Sequence, residues 1–244
     1  MSMNARKIQM EGGKRFEQEP LVAGVYPVRV VQVVLLGIQP QRAYQGQEKD
    51  PVLTLRVTYE FLDEFCVDED GNIQEDRPRW LSETFPLYSL DSERANSTKR
   101  YFAIDPEEKM GGDWAKLVGM PVMATITARP GTGKHEGKVF NNIAGLSTMR
   151  EKEQKNAPAL VNDALVFDPY DPDMEAFATL PEWLQDVIKG AEDYEGSDLE
   201  GLVKKLPASD DGENNPKERK GGGGKAADKE KEGDSPADEE DEDW

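Results

Sequence analysis

Residues 52–61, Val-Leu-Thr-Leu-Arg-Val-Thr-Tyr-Glu-Phe, decide the fold class because from Leu53 onward they alternate between apolar and polar side chains. The apolar positions are Leu53, Leu55, Val57, Tyr59 and Phe61. The polar positions are Thr54, Arg56, Thr58 and Glu60. A period of two predicts a β-strand with one buried and one solvent-facing side. The valine-rich stretch from Val25 to Leu36 predicts a long buried strand just upstream.

Further elements follow on the C-terminal side. Residues 79–85, 121–128 and 139–149 read as strands, and residues 91–104 read as a helix with Asp91 or Ser92 as N-cap. A second short helical piece is expected at 113–118. The order of three strands, a helix and two strands is that of a five-stranded oligonucleotide/oligosaccharide-binding (OB) barrel. Another five-stranded sheet would give the same order, so the pattern predicts a mainly β domain that is OB-like.

This OB-like domain is expected at residues 21–150, between segments of different character. Residues 1–20 are polar and predict a flexible arm. Residues 151–206 predict an acidic extension of short helices, which would pack on the barrel or on another subunit. Its signals are the helical spacing of Phe177, Leu180 and Leu184 and the capping-box pair Ser197 and Glu200. Residues 207–244 predict a disordered acidic tail.

Charge is distributed unevenly along the 244 residues. The chain holds 30 Lys and Arg against 49 Asp and Glu, a net charge of −19. Residues 1–150 carry a net −2, residues 151–206 a net −9 and residues 207–244 a net −8. The acidity therefore lies behind the barrel segment rather than in it.

Composition also excludes several classes of protein. One cysteine, Cys66, and one histidine, His135, exclude a disulfide framework and a Cys/His zinc site. No stretch approaches the roughly 18 apolar residues of a membrane-spanning helix, and the N-terminus lacks a secretory signal. We expect a soluble protein of the cytoplasm, or of the host cytoplasm if it is encoded by a phage. We expect it to be neither an enzyme nor the holder of a cofactor.

Two stretches have the composition of known ligand loops without their spacing. Gly131-Thr-Gly-Lys134 is followed by His135, where a phosphate loop has serine or threonine. The acidic stretch from Asp68 to Asp76 would need Cys66 and Arg77 as the first and twelfth residues of a calcium loop. We therefore predict no catalytic residue and no metal site.

The C-terminus ends in six consecutive acids and one aromatic residue. A polyanion with an apolar anchor can occupy a basic groove or dock its ring in a partner's pocket. A solubilising tail is the alternative, but solubility does not require the terminal aromatic. The predicted partner-binding residues are Asp238, Glu239, Glu240, Asp241, Glu242, Asp243 and Trp244.

An OB-like domain, a Gly-containing linker and an acidic tail ending in an aromatic residue resemble the single-stranded DNA-binding proteins of tailed bacteriophages. The similar segments are Leu21–Val31, Leu117–Ile126, Phe140–Ile143 and Leu180–Gln185. The resemblance implies sequence-independent binding and protection of single-stranded DNA in phage replication, recombination or repair. It also implies that the tail recruits replication proteins such as polymerase, helicase or primase and competes with DNA. The chain departs from this pattern in its slightly acidic barrel segment.

In OB barrels the loops between strands 1–2 and 4–5 flank the binding face. There, cations contact phosphates and exposed aromatic rings stack on bases. The predicted DNA-binding residues are Arg42, Tyr44, Lys49, Arg56, Arg79, Trp80, Arg129, Lys134, His135 and Lys138. A core position for Trp80, Phe61 and Phe85 is the alternative for the aromatic residues.

Two further questions stay open at this level. A homodimer is one possible state of the assembly. The rival function is an acidic interaction protein, a DNA mimic or assembly factor that never binds nucleic acid, for which the net charge is the main support.

Overall fold

A computed structural model describes residues 18–41, 43 and 46–205. The predicted 207–244 tail and residues 1–17 of the predicted arm lie outside the described residues. The strands of the described part are β1 (Gly24–Gln39), β2 (Val52–Val67), β3 (Ile73–Pro86), β4 (Pro121–Pro130), β5 (Val139–Ser147) and β6 (Leu165–Phe167). Its α-helices are α1 (Asn96–Ile104), α2 (Glu151–Asn156), α3 (Met174–Thr179), α4 (Glu182–Lys189) and α5 (Asp198–Val203). Trp114–Leu117 and Gly133–His135 form short 3-10 helices.

The strands form one sheet in the order β3-β2-β1-β4-β5, and β6 pairs with β1 beside this path. Neighbours along the path are antiparallel, whereas β6 runs parallel to β1 at Gln32, Val33 and Val34. The long β1 is shared between two partners, because its first part pairs with β4 and its remainder with β2. The prediction of a mainly β protein is confirmed.

The first hydrophobic core covers the inner side of the sheet. Leu55, Val57, Tyr59 and Phe61 of β2 enter it, with Val57 and Tyr59 fully buried and Phe61 1% exposed. Helix α1 covers these side chains with Tyr101 and Ile104. Burying such side chains contributes roughly 1.5–3 kcal/mol each, so this face stabilises the fold mainly through the hydrophobic effect.

Arg100 of α1 connects the two ends of the strand order. Its Nε lies 3.0 Å from both carboxylate oxygens of Glu83 on β3, and its Nη2 donates to the carbonyl of Ile143 on β5 at 3.1 Å. Tyr59 of β2 also donates to Glu83, at 2.8 Å. One ion pair therefore ties β2, β3, β5 and α1 together inside a poorly solvated region.

A second hydrophobic core forms on the outer side of β1. Val34 and Leu36 point away from the first core and pack against Phe167, Phe177 and the other apolar residues of α3, α4 and α5. The helical extension thus packs on the sheet of the same chain, one of the two arrangements that the sequence allowed. As a consequence, the polar positions of β2 are covered as well, and Thr54, Thr58 and Glu60 are 8%, 3% and 1% exposed. The prediction that this face meets solvent is wrong.

Other differences are local. Helix α1 begins at Asn96 rather than near residue 91, and its N-cap is Ala95, without a side-chain hydrogen bond. The predicted cap at Asp91 or Ser92 is therefore wrong. Ser197 does cap α5, since its hydroxyl accepts from the Glu200 N–H at 3.1 Å. Helix α2 and strand β6 were not predicted, because six and three residues are too short for a periodic signal.

Two kinds of feature are absent from the described residues. None of the helices described is both long and apolar enough to span a membrane. Within the same residues, no group of three or more His, Cys, Asp or Glu side chains is placed to hold a metal ion.

Candidate nucleic-acid interface

The two predicted basic loops lie at opposite ends of β1. Gln39 at the end of β1 pairs with Val52, so the β1–β2 loop lies there. Gly24 at its beginning pairs with Ile126, and β4 continues past this point into the β4–β5 hairpin. Lys49 in the first loop is exposed, whereas Arg42 and Tyr44 lie outside the described residues.

The β4–β5 hairpin brings one group of predicted residues together. Arg129 pairs with Phe140 and Pro130 with Val139, and the Gly131 N–H donates to the Lys138 carbonyl at 2.7 Å. A Cβ on Gly131 would lie 2.3 Å from the His135 carbonyl oxygen, so the tight turn requires glycine at this position. The turn leaves four basic side chains exposed: Arg129, Lys134, His135 and Lys138. Glu136 is the one acid among residues 129–138, so the hairpin is locally cationic.

Phe140 belongs to this surface and was not predicted as a site residue. Its side chain is 44% exposed, and its ring meets the His135 ring edge-to-face at 5.7 Å between centroids. The neighbouring Val139 is 45% exposed. An apolar pair directly after a basic Gly-rich turn is the sequence signal that could have identified it. The hairpin therefore combines a cationic surface with an accessible aromatic ring, the two elements that bind single strands.

On the outer face of the sheet, Arg56 lies in a row between Val34 of β1 and Thr84 of β3. Its guanidinium carbon is 4.9 Å from the centroid of the Trp183 ring, and its Nη1 lies 3.4 Å from the Thr84 hydroxyl. Burial beneath α4 lowers the pKa of Arg56 from its usual value. Arg56 is thus partly covered by the C-terminal extension.

Trp80 lies further along the same outer face, opposite Glu60. Its Nε1 donates to a Glu60 carboxylate oxygen at 3.1 Å, and 42% of the residue is exposed. Phe61 and Phe85, in contrast, are 1% and 6% exposed and belong to the first core. The core alternative therefore holds for the two phenylalanines but not for Trp80.

Glu60 holds the extension against the sheet. Its two carboxylate oxygens accept hydrogen bonds from the Val161 N–H at 2.7 Å, the Asn162 N–H at 3.2 Å and the Asn162 side-chain amide at 2.6 Å. With the Trp80 indole, four N–H donors solvate this buried carboxylate in place of water.

An open cavity of about 610 Å³ lies between the sheet and the extension. Trp80 and Gln32 line its sheet side, and residues 162–166, 173, 175, 176 and 179 line the other. That second wall includes the carboxylates of Asp163, Asp173 and Glu175. Such a wall repels phosphates but does not repel uncharged rings.

Arg79 precedes Trp80 directly on β3, so the two side chains leave opposite faces of the strand. The structure therefore brings Arg56 and Trp80 to one face, gathers four residues on the β4–β5 hairpin, and places Arg79 with neither group. Comparison of the chain with protein-family models, curated proteins and solved structures finds no match.

Proposed function

We propose that this protein binds single-stranded DNA without sequence preference. The observation that carries the proposal is the β4–β5 hairpin, which combines the exposed ring of Phe140 with the exposed cationic residues Arg129, Lys134, His135 and Lys138. Cations on this surface contact phosphates, and the ring stacks on a base. Stacking tolerates any sequence, because every base presents a flat aromatic face.

The strand order supports an OB-like barrel as the scaffold of this function. In such a barrel the strands at the two ends of the order β3-β2-β1-β4-β5 meet and close the sheet. Arg100, which bonds to Glu83 of β3 and to the Ile143 carbonyl of β5, draws those two ends together. Helix α1 between β3 and β4 is also where this fold has its helix.

In this proposal the protein protects DNA intermediates of phage replication, recombination or repair and performs no catalysis. The acidic C-terminal residues 238–244 recruit replication proteins such as polymerase, helicase or primase. They also compete with DNA for the basic hairpin, because their charge matches that of the phosphates.

An electrophoretic mobility shift with labelled oligothymidylate, and duplex of equal length as control, tests the function. We expect the full-length protein to shift the single strand in preference to the duplex. The matched variant Phe140→Ala removes a ring that lies outside both cores, so it should fold and bind more weakly by ~1–3 kcal/mol. Absence of binding to any single strand would favour the acidic interaction protein instead.

A further inference from the structure

Trp183 is exposed although the helix that carries it is firmly packed. In α4, Leu184 and Ile188 are 2% and 1% exposed and belong to the second core, whereas Trp183 is 53% exposed. Helical spacing accounts for the orientation, since Leu184 and Ile188 are four residues apart and Trp183 lies on a neighbouring face. An indole this exposed leaves a large apolar surface in water, which costs free energy unless a ligand covers it.

The Trp183 ring is held in place by a contact with the sheet. The guanidinium of Arg56 lies against one face of the ring and also reaches the Thr84 hydroxyl of β3. A cation against one face leaves the opposite face free for a second flat group. Because helix packing and the cation restrict the ring, little side-chain entropy would be lost when a ligand stacks on it.

Trp183 and Trp80 are anchored to the same face of β2. Trp183 rests on Arg56 and Trp80 bonds to Glu60, and these two β2 residues are four positions apart. At roughly 3.4 Å per residue, the anchor points are separated by about 14 Å along the strand. That span exceeds the ~3.4 Å between successive nucleotides of one strand in duplex DNA, so the rings would take two different bases.

The charge around these rings decides which part of a nucleotide can approach. The cavity beside Trp80 is walled by Asp163, Asp173 and Glu175, which repel the phosphate backbone. An uncharged base escapes this repulsion and gains stacking energy. The surface therefore admits bases and keeps the backbone toward solvent.

We propose that Trp183 is a further base-stacking residue and that the C-terminal extension forms half of a two-ring site with Trp80 on the outer face of β2. This inference rests on the proposed single-stranded DNA binding. It assigns the extension a direct role in DNA binding, beyond its packing on β1.

The test compares Trp183→Ala and Trp183→Phe with the wild type in binding to oligothymidylate. Trp183→Ala should weaken binding by about 5- to 150-fold, the range that corresponds to one lost base stack, and Trp183→Phe should weaken it less. Ile73→Ala is the control, because Ile73 is an exposed apolar residue, 67% exposed, at the start of β3 and seven positions from Trp80. It should bind like the wild type.

A fluorescence titration separates stacking from a purely structural role. Oligothymidylate should quench the intrinsic tryptophan emission of the wild type, and Trp80→Phe and Trp183→Phe should each remove part of that quenching. The inference would be wrong if the wild type bound oligothymidylate and Trp183→Ala bound it with the same affinity. It would also be wrong if Trp183→Phe showed the same quenching as the wild type. In both cases the proposed function would remain. If the wild type bound no single strand, both this inference and the proposed function would be wrong.

Discussion

The side-chain amide of Asn162 donates a 2.6 Å hydrogen bond to the carboxylate of Glu60, although the two residues lie 102 positions apart in the chain. Glu60 also accepts hydrogen bonds from the Trp80 indole and from the backbone N–H groups of Val161 and Asn162. Four N–H groups therefore stabilise its charge. This contact joins the polar side of β2 to the C-terminal extension and decides that the polar side is buried.

Glu60→Ala should destabilise the protein, because it leaves four partly buried N–H donors without their acceptor. We expect the free energy of unfolding to fall by roughly 2–4 kcal/mol. Urea unfolding measures the change. Glu93→Ala is the control, since Glu93 is exposed and should tolerate the substitution. Equal stability of the two variants would contradict a structural role for Glu60.

Gly37→Ala should also destabilise the protein. Gly37 lies where β1 meets the loop after α4. Gly37 has φ +79°, and an added Cβ would lie 2.8 Å from Ala191 Cβ and from Asp193 Oδ1. Gly46 has φ +77° but open space around it, so Gly46→Ala isolates the backbone strain of ~1–2 kcal/mol. We expect Gly37→Ala to cost ~1–3 kcal/mol more than this control in urea unfolding. Similar losses of stability in Gly37→Ala and Gly46→Ala would mean that the loop after α4 shifts to accommodate the added methyl group.

Stability should fall in alkaline solution. Burial, and after it the charge of Glu83, raises the pKa of Tyr59 well above its usual value. The unfolded chain releases this proton near pH 10 and the folded protein holds it, so the stabilisation is complete below about pH 10 and is lost as the pH rises further. Urea unfolding between about pH 9 and pH 11 should show a steeper loss for the wild type than for Tyr59→Phe. A parallel loss in both proteins would contradict this assignment.

The hairpin lysines should determine part of the salt dependence of DNA binding. Replacing Lys134 and Lys138 together with alanine removes two exposed cations and should reduce the slope of log affinity against log salt by roughly 1–1.5, at ~0.7 for each single-strand contact. Fluorescence anisotropy at several salt concentrations measures the slope. Lys152→Ala, in exposed α2 outside the proposed surface, is the control. An unchanged slope in the double variant would remove the hairpin from the interface.

Deletion of residues 234–244 should tighten binding to single-stranded DNA, most strongly at low salt. The deleted segment contains Asp234 and the six acids from Asp238 to Asp243, whose attraction to the cationic hairpin is least screened at low ionic strength. Trp244→Ala leaves the charge unchanged and should affect partner recruitment rather than DNA affinity. Equal affinities of the full-length and shortened proteins at low salt would exclude competition by the tail.

The sequence by itself determined the inner face of the sheet. Alternation from Leu53 to Phe61 is a local property, and the apolar positions from Leu55 to Phe61 entered the first core as expected. The basic turn between β4 and β5 could also be predicted from the sequence, because its glycines indicate a tight turn and its lysines indicate exposure to solvent. Such features depend on neighbours within a few positions in the chain.

Only the tertiary structure determined whether the polar side of β2 is exposed or buried. Glu60 lies on the side that alternation predicts to face solvent, yet residues about a hundred positions downstream cover it. Trp183 and Arg56 likewise meet across 127 positions, in a contact with no periodic signature. Periodicity reports which side of a strand is apolar. Whether a polar side meets water or a distant hydrogen-bonding segment depends on how remote parts of the chain pack, because a well-placed N–H can replace water as a partner for a carboxylate.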